Sequence, residues 1–113
     1  MRFLKKMLSI FLYKVEPFLP PRRLLIVDGG ILPDKMPWRN LILIKDEGGD
    51  WSVGFKCPCG CGSVVELLLF EEAKPHWRCS FDDNNIPTIY PSVWLDTGCK
   101  AHFWIKSGRI HWV

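Results

Sequence analysis

Apolar residues recur at helical spacing only at the start of the chain. Phe3, Leu4, Met7, Leu8, Phe11, Leu12 and Val15 lie three or four positions apart. This predicts an amphipathic helix over residues 2–15. Arg2, Lys5, Lys6 and Ser9 fall mostly on its other side. Pro17, Pro20 and Pro21 stop the helix, because proline lacks an amide hydrogen and clashes with the preceding turn. The apolar face suits docking on the chain's own core or on a partner, and the basic flank also fits a membrane-surface helix.

Beyond the prolines the pattern shortens to strand-length runs. These cover residues 23–27, 41–45, 51–56, 63–70, 76–81, 102–106 and 109–113. Asp28-Gly29-Gly30, Glu47-Gly48-Gly49-Asp50 and Asp82-Asp83-Asn84-Asn85 separate them as turns or loops. The expected fold is a small, mostly β, zinc-stapled antiparallel sheet with an N-terminal amphipathic helix. Residues 1–21 form the helix and proline linker, and 22–113 form the β domain.

The last two runs can be read in register. With Ser107-Gly108 as a two-residue loop, Lys106 faces Arg109, Ile105 faces Ile110, Trp104 faces His111 and Phe103 faces Trp112. Alternation puts Phe103, Ile105, Ile110 and Trp112 on a core face. His102, Trp104 and His111 share the opposite face, with the two histidines as diagonal neighbours about 7–8 Å apart at the backbone.

Composition agrees with a globular chain of one domain. Of 113 residues, 48% are hydrophobic and 24% charged, which excludes an intrinsically disordered chain. No apolar run reaches the ~20 residues of a membrane span. A net charge of +3 without a dense basic stripe argues against nucleic acid as a partner.

Five cysteines sharpen the picture. Cys57, Cys59 and Cys61 lie within one hexapeptide, and Cys99-Lys100-Ala101-His102 is a Cys-x2-His pair. Cysteines so close together cannot easily bridge one another, but they can converge on a metal. Cys57, Cys59, Cys61, Cys99 and His102 are therefore the candidate ligands, with zinc the expected cofactor. Five groups for four tetrahedral positions leave one over. No signal-peptide cleavage site follows residue 15, so a reducing, cytoplasmic setting is expected. Cys79, between Arg78 and Ser80, reads as a packing residue, and His76 as a surface one.

A zinc with an open position would also need an acid or base. Glu66 interrupts the apolar run Val64–Leu69, Asp96 lies near Cys99, and His111 shares a face with His102. Each is also readable as a solvated residue. Ser92, after Pro91, is a candidate nucleophile or substrate ligand, or a cap for local backbone.

These motifs carry a resemblance. Phe55-Lys56-Cys57-Pro58-Cys59-Gly60-Cys61-Gly62, Pro87-Thr88-Ile89-Tyr90-Pro91-Ser92-Val93 and Gly98-Cys99-Lys100-Ala101-His102-Phe103-Trp104-Ile105 resemble a bacterial domain-of-unknown-function family of small zinc proteins. That family occurs in operons with ubiquitin-like proteins and their E1-like and E2-like enzymes. The resemblance implies a zinc-dependent peptidase that processes or removes a ubiquitin-like protein. The alternative is a non-catalytic structural zinc module mediating protein–protein interaction in the same pathway.

Overall fold

The computed structural model describes residues 15–113. The helix expected over 2–15 lies outside the described residues, apart from Val15. The described chain enters through a short 3-10 turn, Glu16–Phe18. Eight strands follow: β1 (Leu24–Asp28), β2 (Leu41–Asp46), β3 (Gly49–Lys56), β4 (Val64–Leu68), β5 (Arg78–Phe81), β6 (Pro87–Trp94), β7 (His102–Lys106) and β8 (Arg109–Trp112).

The strands form two sheets, each in chain order: β1-β2-β3-β4 and β5-β6-β7-β8. The mostly-β expectation holds, but a single antiparallel sheet does not. There are two sheets, and β1 pairs with β2 in parallel, Leu24 opposite Leu41. The physical reason is the long connection between them, which returns the chain to the same end of the sheet before β2 begins; a tight hairpin turn would have made the pair antiparallel.

The sheets share one core. Leu24, Leu41, Leu43, Val53, Phe55, Val65 and Leu67 from the first meet Ile89, Val93, Phe103 and Ile105 from the second. Phe55 and Phe103 touch edge to face across the divide, centroids 6.1 Å apart. In β2, Ile42 and Ile44 turn to the other side and bury against Met36 and Leu32. That double burial explains why β2 reads as an unbroken apolar run. Gly54 makes this cover possible: a Cβ there would lie 2.5 Å from Leu32 Cδ1.

The segment before β1 is fastened by charge. Arg22 and Arg39 both reach the buried Glu16 carboxylate, at 2.9 Å to Oε1. The Arg22 amide donates to Gly108 O at 2.8 Å, and Arg109 donates to the Leu19 carbonyl. The entry segment thus packs on the β7–β8 turn. That hairpin has the register expected from the sequence, Phe103 opposite Trp112 through Lys106 opposite Arg109. Ser107 and Gly108 both take positive φ, 49° and 71°, the combination of a type I′ turn. No helix among the described residues is long and apolar enough to cross a membrane.

Candidate functional site

Two polar constellations each draw residues from β6, β7 or the loop between them. The first is the cysteine cluster. Leaving β3, the chain turns tightly through Cys57-Pro58-Cys59-Gly60-Cys61, with the Cys57 amide bonded to Ser63 O and the Gly60 amide to Cys57 O. Gly60 and Gly62 take positive φ, 87° and 88°, which side chains resist. This wraps three thiols around one point. Cys99 comes from the loop between β6 and β7, which is closed by the Leu95 amide on Ala101 O.

The sulfurs of Cys57, Cys59, Cys61 and Cys99 all lie within 4.8 Å of one another. Cys57 Sγ is 3.3 Å from Cys59 Sγ and 3.6 Å from Cys99 Sγ. A tetrahedral zinc with Zn–S of about 2.3 Å needs sulfurs about 3.8 Å apart, so the donor set fits a thiolate-bound metal ion. The three thiols of the turn differ in how readily they ionise. Burial pushes the Cys57 thiol well up, and burial raises Cys59 to about 11. Burial also works against Cys61, but hydrogen bonds from Ser63, Cys59 and Cys99 outweigh it and bring Cys61 down to about 7. A divalent cation would let all four carry charge. Cys79 stands apart on β5, its thiol raised to about 11 by burial and by Asp50.

The second constellation is formed by Ser92 and His102. Ser92 Oγ lies 3.1 Å from His102 Nε2. A bulge in β6 creates the pair. Ile89 faces Ile105 and Val93 faces Phe103, so four steps on β6 match two on β7. The extra residues push Tyr90-Pro91-Ser92 out of the β6–β7 ladder, while Tyr90 still pairs with Arg78 on β5. His102 opens β7 and is stacked on Trp94 directly across, centroids 4.7 Å apart and planes 5° from parallel. From the other side, Trp77 Nε1 donates to Ser92 O at 3.2 Å. Serine and imidazole are each held by an indole.

The sequence grouped His102 with the cysteines; here its ring meets Ser92, and four sulfurs make up the metal-capable group. Glu66 is on β4 in the first sheet, exposed, accepting from Ser52 Oγ at 2.8 Å. Asp96 is exposed in the β6–β7 loop. His111 is exposed on β8 opposite Trp104. Among the described residues, no carboxylate hydrogen-bonds His102. Trp94 and Trp77 were missed by sequence reasoning. Trp94 carried a usable signal: it is two residues from Ser92, so on the same face of a strand.

A hydroxyl that can pass its proton to an adjacent imidazole is equipped for nucleophilic acyl transfer. The comparisons agree with that class. A family model described as bacterial ubiquitination-like system serine protease (BubE) matches residues 29–113. The chain belongs to this family. No curated protein and no solved structure matches it. The family corrects the zinc-dependent peptidase expected from the sequence: its reaction class is serine proteolysis. The non-catalytic zinc module gains no support from it either.

Proposed function

We propose that this chain is a serine peptidase acting on a ubiquitin-like protein, with Ser92 as nucleophile and His102 as general base. The observation that carries the reading is the 3.1 Å contact between Ser92 Oγ and His102 Nε2. Ser92 Oγ attacks the carbonyl carbon at the scissile bond while its proton passes to His102 Nε2. The imidazolium then gives that proton to the departing amine as the C–N bond breaks, leaving an acyl-serine. Water, deprotonated by His102, hydrolyses the ester and restores both side chains. Trp94 fixes the imidazole plane and Trp77 fixes the Ser92 backbone. Glu66, Asp96 and His111 take no step in this reading.

Zinc is the metal that best suits the four thiols, and it would be structural, since four protein ligands leave no open position. When bound it would supply a cross-link, with Cys57, Cys59 and Cys61 at the end of β3 and Cys99 in the loop before His102 as its holders.

The test is substitution with two kinds of substrate, an activated ester and a ubiquitin-like protein bearing a C-terminal extension. Ser92→Ala and His102→Ala should each lower kcat by at least about 10³-fold. A serine-directed phosphonate should label Ser92 by mass spectrometry. Wild-type turnover by a folded Ser92→Ala protein would overturn the assignment.

A further inference from the structure

The two sheets differ sharply in charge. Strands β1 to β4 carry Asp28, Asp46, Asp50 and Glu66 against Lys45 and Lys56. Strands β5 to β8 carry Arg78, Lys106 and Arg109 and no acidic residue at all. The second sheet is the one that bears Ser92 and His102.

Its cations are arranged on an aromatic track. Tyr90 and Trp104 lie side by side, centroids 5.9 Å apart. The Arg78 guanidinium sits 5.1 Å over Tyr90, and Lys106 Nζ sits 4.9 Å over Trp104. Tyr90 is 55% exposed. The Arg78 end lines one cavity of about 490 Å³ with Asp50 and another of about 440 Å³ with Glu71, without an ion pair to either. At the other end, among the described residues no carboxylate pairs with Lys106. Lys106 also stands directly opposite Arg109, a like-charge cross-strand pair that is unfavourable unless an anion joins it. Arg109 turns to the Leu19 carbonyl, leaving Lys106 to outside partners.

Strand geometry sets the distance. His102, Trp104 and Lys106 alternate onto one face, and four residues of strand span about 13 Å. That is also about four residues of an extended peptide.

We propose that this face docks an extended, acidic segment of the protein substrate, with a carboxylate side chain about four residues from the scissile bond meeting Lys106 over the Trp104 ring. The inference rests on the serine-peptidase reading, which supplies the reason for a peptide to lie here. It adds the substrate's chemical class: acidic residues at a set distance from the cleaved bond. A nucleic acid would also seek cations, but the track adjoins a group that attacks carbonyls.

The experiment uses the full chain carrying Ser92→Ala, so that bound peptide is not consumed. Fluorescein-labelled decapeptides of glycine and alanine carry Glu, Gln or Lys at the fourth and sixth positions, and binding is read by anisotropy in 50 mM salt. The Glu peptide should bind at least about 10-fold more tightly than the Gln peptide, and the Lys peptide more weakly than either. The preference should shrink as salt is raised, since exposed charges are screened. Lys106→Glu should reverse the order of the Glu and Lys peptides, and Lys106→Gln should flatten it. Equal binding of all three peptides, an unchanged order in folded Lys106→Glu protein, or tighter binding of a ten-nucleotide single strand would overturn the proposal. Ester hydrolysis that depends on Ser92 alongside equal peptide binding would sink the acidic track alone. Ester hydrolysis that survives Ser92→Ala would sink the serine reading itself.

Discussion

Trp94 is 70% exposed, yet its ring lies flat on His102. An indole left in water has no burial to justify it, so its value here is orientation. Ring contacts of this kind contribute about 0.5–1.5 kcal/mol, and about 1.4 kcal/mol is tenfold in rate. Trp94→Ala should therefore lower kcat about tenfold with KM little changed, and Trp94→Phe should recover most of it. A fall in KM-dependent binding with kcat intact would instead make Trp94 a substrate contact. The sequence could not foresee this pairing. A Cys-x2-His spacing reads equally well as two metal ligands, and only the β6 bulge turns Ser92 toward His102. Alternation counts residues in a regular ladder and is blind to two extra ones.

At the scale of elements, the entry segment and the final hairpin depend on each other. Burial alone would raise the Glu16 pKa, but hydrogen bonds and charge from Arg22 and Arg39 outweigh it and hold it below 4.5. The ion group therefore contributes stability that is complete above the unfolded value and is lost as pH falls through the lower folded one. Glu16→Gln leaves two guanidinium groups half-served and should destabilise the protein by about 3 kcal/mol at pH 7. The gap to wild type should narrow toward pH 3, as read by urea denaturation; a constant gap would refute the charge argument. Gly108 is the second fastening. A Cβ there would lie 2.5 Å from Arg22 O, at a backbone φ of 71°, so Gly108→Ala should lower the melting temperature by several degrees. The hairpin was legible because turn chemistry and alternation are local. The Glu16 group was not, because its partners are 6 and 23 residues away in sequence and only tertiary folding brings them together. The parallel pairing of β1 and β2 was hidden for the same reason.

Over the whole molecule, the four thiols bring the two sheets to one point, where a metal ion would fasten them. Cys57, Cys59 and Cys61 leave the first sheet, and Cys99 lies in the β6–β7 loop of the second. Structural zinc contributes folding energy of order 10 kcal/mol, comparable to the entire stability of a small domain. A strong chelator under reducing conditions should therefore unfold the protein, seen by circular dichroism, and abolish turnover together with structure. Cys57→Ser should do the same without chelator, because Cys57 is the most buried of the four. A folded, active protein after chelation would show that the cluster needs no ion. The three thiols of the hexapeptide were legible as a group from spacing alone, whereas Cys99 was read as a partner of His102, which meets Ser92 instead.

Only Lys100 and Ala101 separate the Cys99 thiol from His102, and the Leu95 amide on Ala101 O ties that stretch back to β6. Linkage makes such a tether work in both directions. A coupling between the imidazole's position and the sulfur's grip on a zinc ion would act on both by the same free energy. A phosphonate locked on Ser92 should therefore slow metal release to a colorimetric chelator, and the slowing should vanish in Trp94→Ala. The ion would then serve as a reporter, read by absorbance, of whether the serine is occupied.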